Sequence, residues 1–325
     1  MEHSDYKIGW ICALPMELAA AVAMLDERYD PLPQNSSDAN NYTLGRIGVH
    51  SVVIACLPVG VTGNTSAAIV AEHIKYSFPS IRFGLMVGVG GGAPNAKDQI
   101  RLGDVVVSRP IGNSGGVIQY DFGKTIQEGR FVRTGSLNRP PDVLLSAVSS
   151  LQARYIMAIP ELGKHLSEIG LRYPKMQEHT TYPGAQHDQL FEAHYNHPAG
   201  HDKCRDCDPL RLVPRPVRSD SIPVVFYGLI ASGNQVMRDG ATRERLGQEL
   251  DILCFETEAA GLMDRFPCLV IRGICDYADT HKNKDWQSYA AATAAAYAKE
   301  LLNIIPTHQV MNIKNATPVP EKLGE

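Results

Sequence analysis

The sequence predicts an α/β protein: a three-layer α/β/α arrangement around a central mixed, twisted sheet, with one long irregular insertion. Three observations predict it. Short apolar runs alternate with helical patterns, as strands covered on both faces require. Carboxylates follow several of those runs, at the strand ends where such sheets bind ligands. The 325 residues are 44% hydrophobic and 20% charged, ordinary globular composition that suits one large domain or two small ones.

The elements follow in order. Residues 7–14 read as a first strand. A helix starts at Pro15, with proline in its first turn and Leu18, Val22 and Leu25 at helical spacing. Residues 51–57 form a second buried strand. Gly60 to Asn64 turn into a helix over 65–77. Residues 83–89 are a third strand, ending in Gly90, Gly91 and Gly92, and 104–108 are a fourth. Apolar strands over 223–231, 252–255 and 268–274 complete the sheet. The last helix, over 286–302, keeps Trp286, Tyr289, Ala290, Thr293, Tyr297 and Leu301 on one stripe. No internal repeat is present.

The stretch over about 139–217 differs. It is rich in Pro, His, Tyr and charge, and its periodicity is weak. One helix is expected over 142–156 and an irregular surface excursion elsewhere. Residues 1–306 therefore form a single domain carrying this insertion, and 307–325 are expected to be a disordered tail.

Charge and cysteine usage narrow the function. Lys+Arg 31 against Asp+Glu 35 gives a net charge of -4, with no basic face for nucleic acid. No apolar run reaches the ~20 residues a membrane span needs. The N-terminus lacks a basic segment followed by an apolar one, so no signal peptide is expected. Cys12, Cys56, Cys254, Cys268 and Cys275 sit in or beside apolar segments and read as reduced core residues, which implies a cytoplasmic protein.

Two segments carry the chemistry, residues 255–261 and 272–279. The run 252–255 leads into Glu258, and the run 268–271 leads into Asp276. Carboxylates at the mouths of buried strands are costly to desolvate, which marks them as functional candidates. With Glu17 after the first strand, they suggest acid–base work on a polar substrate. The plainer alternatives are a turn residue at Asp276, a helix first-turn carboxylate at Glu258, and a solvated helix position at Glu17.

Taken together, residues 8–17, 102–108, 228–234, 256–260 and 272–279 resemble the nucleoside phosphorylase/nucleosidase superfamily. Their active-site pattern is similar to methylthioadenosine/S-adenosylhomocysteine nucleosidases, and the overall sequence resembles the fungal branch. The chemistry explains these residue types. Breaking an N-glycosidic bond builds a ribosyl cation and a purine anion. The base needs a proton, the hydroxyls need holding, and a nucleophile must wait on the opposite face. The resemblance implies that Asp276 protonates purine N7, its pKa raised by burial. It implies that Glu258 holds the ribose hydroxyls, with Thr257 and Gly90 beside the sugar. Glu17 would orient the attacking water. Asn234, Gln235, Val236 and Met237 match the base-binding segment. The aromatic that stacks on the base in the nucleosidases is missing there, leaving Tyr120 or Phe122 as replacements.

The nucleophile is read from what is absent. Phosphorylases of this superfamily clamp phosphate with arginines and a serine. The segment that would carry one arginine here ends in Glu17. The positions of the second arginine and the serine are Met86 and Val89. Hydrolysis is therefore expected; the alternatives are a phosphate-dependent phosphorylase and a non-catalytic nucleoside-sensing module. The expected partner is a small-molecule purine nucleoside, with no cofactor and no catalytic metal. A homo-oligomer, a dimer by preference, is implied.

One motif lies outside this scheme. Cys204 and Cys207 have the C-x₂-C spacing of half a zinc site, which His197 or His201 could complete. A second such pair is absent, and free loop thiols or a disulfide are the more ordinary readings of the spacing. Any metal there would be structural.

Overall fold

The computed structural model of the chain describes residues 1–95, 97–198 and 204–316. In chain order, the first half holds β1 (Ile8–Cys12), α1 (Pro15–Met24), β2 (Glu27–Tyr29), β3 (Tyr42–Ile47), β4 (His50–Cys56), α2 (Asn64–Ser77), β5 (Phe83–Gly92), β6 (Val105–Ser108), β7 (Val117–Gln119), β8 (Gly123–Thr125) and β9 (Phe131–Arg133). The second half holds α3 (Asp142–Met157), α4 (Leu162–Arg172), α5 (Gln177–Thr180), β10 (Val225–Ser232), α6 (Gly240–Leu250), β11 (Ile252–Glu256), β12 (Cys268–Asp276), α7 (Gln287–Ile304) and α8 (Thr307–Met311).

A 10-stranded sheet runs in the order β11-β10-β6-β12-β5-β1-β4-β3-β2, with β7 added beside β10. It is mixed, as expected. β1, β4, β5 and β12 pair in parallel, whereas β6 meets β12 antiparallel. β11 also pairs antiparallel with the end of β5, so β5, β12, β6, β10 and β11 close on themselves. The strand expected to end at residue 89 runs on through the glycines. Gly90 to Gly92 continue β5, pairing with β12 on one side and β11 on the other.

Side chains alternate between two apolar layers, as a pleated sheet dictates. Ile11, Val53, Met86 and Val270 pack on the face of α2. Trp10, Ile54, Leu85 and Ile271 pack on the face of α1 and α7. The single stripe expected for α7 is too narrow. Nearly all of it from Tyr289 to Leu302 is buried, because β5 and β12 lie on one side and α1, α3 and α4 on the other.

The insertion is more ordered than its composition suggests. The expected helix is α3, but α4 follows it and was not expected. Leu162, His165, Leu166 and Ile169 form its buried stripe, and the histidine within that stripe masked the 3.6-residue period. The tail begins with a helix, α8, rather than disordered chain, anchored by buried Val310. The Ala316 N–H then donates to Ile81 O at 2.7 Å. The rest of the expected disordered tail, 317–325, lies outside the described residues. Among the described residues, no single helix is long and apolar enough to cross a membrane.

Candidate active site

Glu17, Glu258 and Asp276 all line one cavity of about 210 Å³ at the carboxyl ends of β1, β5, β11 and β12. Each is 3–4% exposed. Thr257, Gly90, Gln235, Val236 and Met237 share its lining.

Glu17 is the third residue of α1. Its Oε2 accepts from the N–H groups of Leu14 at 3.0 Å and Ala13 at 2.7 Å, closing the first turn as a helix-start glutamate does. Its Oε1 accepts from Val89 N–H at 2.8 Å. It is not a solvated helix position. The approach depends on Gly88, where a Cβ would sit 2.4 Å from Oε1. Burial pushes the Glu17 carboxyl above its ordinary range. The Arg272 guanidinium and the Val89 and Ala13 N–H groups oppose that rise, and Glu258 adds to it.

Arg272 does not line the cavity but lies buried against three of its carboxylates, Glu17, Glu256 and Glu258. Its Nη2 pairs with Glu256, and with Glu258 Oε2 at 3.5 Å. Burial works against the guanidinium charge, but Glu256, Glu258 and Glu17 outweigh it and raise the arginine's pKa further. Glu256 in turn accepts from the N–H groups of Glu258 at 3.1 Å and Ala259 at 2.9 Å. That arrangement fixes the turn carrying Glu258. Glu258 also accepts from Thr257 Oγ1, and from Gly63 N–H at 3.4 Å.

Asp276 ends β12 at a break in strand register, where Ile274 pairs with Gly90 and Asp276 with Gly91. The extra residue, Cys275, re-aims the strand end, as bulges beside functional sites do. Ala278 N–H donates to Asp276 Oδ1 at 2.9 Å from a left-handed backbone, φ +52°. For alanine that conformation is strained, and the turn holds it in place. On the other oxygen, Lys282 Nζ lies 2.8 Å away. Burial alone lowers the Lys282 pKa, but the Asp276 carboxylate outweighs it and raises it.

The base-binding segment divides. Gln235, Val236 and Met237 face the cavity, whereas Asn234 does not line it. Asn234 Oδ1 accepts from Asn64 N–H at 3.1 Å, tying the segment to the start of α2. Neither aromatic named from the sequence lines the cavity. Tyr120 OH donates to Gln235 O at 2.9 Å, and Phe122 is 57% exposed beside a different cavity. Phe255 supplies the aromatic wall instead. Sequence reasoning missed Phe255, Glu256 and Lys282 as site residues. Phe255 and Glu256 were visible as the end of an apolar run directly before Glu258. Lys282, six residues after Asp276, left no comparable signal.

Among the described residues, one group has metal-ligand geometry: His197, Cys204 and Cys207. His201 lies outside the described residues.

A family model described as the phosphorylase superfamily matches residues 7–305. The chain belongs to the phosphorylase superfamily. A nucleotide-binding leucine-rich repeat (NLR)-like protein of the fungus Hyaloscypha variabilis is 49% identical over 304 residues, 93% of this chain and 29% of the relative. The Escherichia coli protein named ATP nucleosidase Cap17 is 26% identical over 308 residues, 90% of this chain and 50% of that one. The chain thus spans half or less of both relatives. The solved methylthioadenosine/S-adenosylhomocysteine nucleosidase of Helicobacter pylori shares the fold. Its TM-score is 0.56 at 15% identity, over 92% of this superfamily member and 99% of that chain.

Proposed function

We propose that this chain hydrolyses the N-glycosidic bond of purine nucleosides, releasing free base and ribose. The observation that carries the reading is Glu17. The N–H groups of Ala13, Leu14 and Val89 converge on its carboxylate, at 2.7, 3.0 and 2.8 Å. Such backbone donors are what an anionic co-substrate would need. Here the protein's own carboxylate takes them.

Charge supports the same conclusion. Glu17, Glu256, Glu258 and Asp276 line the cavity, and the one lysine in its lining, Lys282, is engaged by Asp276. Arg272 is committed to Glu256 and Glu258. A phosphate dianion entering this site meets carboxylates, whereas water meets a base. The rise of the Glu17 pKa improves that base.

In this reading Asp276 and Lys282 act as a proton-delivering pair toward the purine. Glu258, held by Arg272 and Thr257, accepts from the ribose hydroxyls. Glu17 orients water on the opposite face. Phe255 packs on the base, and Gln235 reads its polar edge. A homo-oligomer, a dimer by preference, completes the proposal, and light scattering measures it directly.

A second reading concerns the 5′ end. The name of the Escherichia coli relative favours a 5′-triphosphorylated substrate, ATP. Incubation with adenosine, inosine, guanosine and ATP, followed by chromatography of the released base, separates the readings. Base released from the unphosphorylated nucleosides supports the first. Release from ATP alone replaces it with the second. Binding without release in any arm leaves a sensing module and overturns both.

A further inference from the structure

The strongest unassigned feature lies outside the cavity. Residues His197, Cys204 and Cys207 come from the insertion, and their donor atoms all lie within 4.8 Å of one another. Cys204 and Cys207 are both free thiols rather than a disulfide. Cys207 N–H donates to Cys204 O at 3.3 Å, the tight turn that lets a C-x₂-C pair aim both sulfurs at one point. His197 Nδ1 lies 3.0 Å from the Pro198 carbonyl oxygen. A histidine whose Nδ1–H is held by a carbonyl presents the Nε2 lone pair outward, the tautomer that metal ligation needs.

A second observation points to a missing ligand. His281 is 7% exposed, yet neither ring nitrogen has a hydrogen-bond partner; Nδ1 comes no nearer than 3.6 Å to Asp279 Oδ1. Its ring stacks on Phe191 at 4.1 Å and meets the His197 ring edge-on at 5.5 Å. A buried imidazole whose polar contact is one long approach to the Asp279 carboxylate, beside two thiols and a second imidazole, marks a place where a polar centre is expected.

We propose that His197, Cys204 and Cys207 bind a structural zinc ion, with His281, whose ring meets that of His197 edge-on, as a candidate for the fourth position. Thiolate and imidazole donors in a closed, tetrahedral set suit zinc over magnesium or calcium, which take oxygen. Binding releases the two thiol protons, so one dication and two thiolates make a neutral centre in a half-buried position.

The location gives the ion a purpose. His197 N–H donates to Thr280 Oγ1 at 2.8 Å, and Cys204 Sγ lies 3.8 Å from His281 O. Thr280 and His281 belong to the loop between Asp276 and Lys282. Zinc would therefore fasten the insertion to the loop whose two ends carry the acid and its ammonium partner. This assigns the excursion a role as a clamp over the active-site loop.

The test uses the purified full chain, prepared without a metal-affinity column. Elemental mass spectrometry is expected to find about one zinc per chain, and to find only background in the Cys204→Ser/Cys207→Ser variant. If that variant does not fold, wild-type protein decides. Cobalt(II) in place of zinc should give the visible bands of a tetrahedral site together with sulfur-to-cobalt charge transfer. Zinc should also protect Cys204 and Cys207 from alkylation until a chelator is added. Zinc-incubated wild type that keeps no ion after gel filtration, or cysteines that alkylate equally with and without zinc, would overturn the proposal.

Discussion

Lys282 Nζ stands 2.8 Å from Asp276 Oδ2, so the carboxylate at the end of β12 shares the cavity with an ammonium six residues further on. Alanine in a left-handed conformation holds the turn between them. Strain of this kind is kept where position matters more than stability.

Replacing Asp276 with Asn is expected to lower kcat on a cleaved purine nucleoside about 10²-fold or more, while KM moves little. Lys282→Met, which keeps the length and removes the charge, should lower kcat in the same direction. Steady-state kinetics on both variants checks the pairing. A normal kcat in Asp276→Asn removes it as the acid.

Gly88 is expected to tolerate no side chain. A Cβ there would meet Glu17 Oε1 at 2.4 Å and Arg272 Nη1 at 2.7 Å. Gly88→Ala should cost about 1–3 kcal/mol of stability by overpacking. It should also displace Glu17, so that turnover falls with it. Glu17→Ala leaves the packing room and should slow hydrolysis about 10²-fold. Urea unfolding and initial rates, measured on the same samples, separate the two effects.

Arg272 is the counter-charge for buried carboxylates. Arg272→Met leaves Glu256 and Glu258 without it, and should cost about 3–5 kcal/mol. Adding Glu256→Gln should recover part of the loss, since one uncompensated charge is then gone. Chemical denaturation of the single and double variants reads this out; additive losses would contradict the pairing.

Glu300, buried on α7, gives a pH prediction. Burial pushes its carboxyl up to about 7, with the Tyr155 hydroxyl, 3.1 Å from Oε2, working against that rise. In the folded chain it therefore holds its proton where the unfolded chain has lost it. Stability from this group is complete below the ordinary value of 4.5 and is lost as pH rises through about 7. Glu300→Gln should flatten the decline in Tm over that window. An unchanged profile would show that Glu300 is not its source.

Much of this was legible in the chain. The strands that position the site are continuous apolar runs, and Glu17, Glu258 and Asp276 each follow one. The closure of the sheet was not, because glycines over 90–92 signal a turn as readily as a strand passing close to a neighbour's backbone. α4 was hidden by His165 in its buried stripe. The sequence offers Tyr120 or Phe122 as the stacking aromatic, whereas Phe255 reaches the cavity from the end of β11. Asn234 shows the opposite failure. An amide in a matching segment looked like a base contact, yet it serves the start of α2.

The identity of the nucleophile separates hydrolysis from phosphorolysis, and its most direct measurement is phosphorus NMR of the sugar product formed from a cleaved purine nucleoside in saturating phosphate. Free ribose with no phosphorylated sugar is the predicted result. A ribose 1-phosphate signal that grows with base release would mean that phosphate displaces water despite Glu17, and would contradict the account.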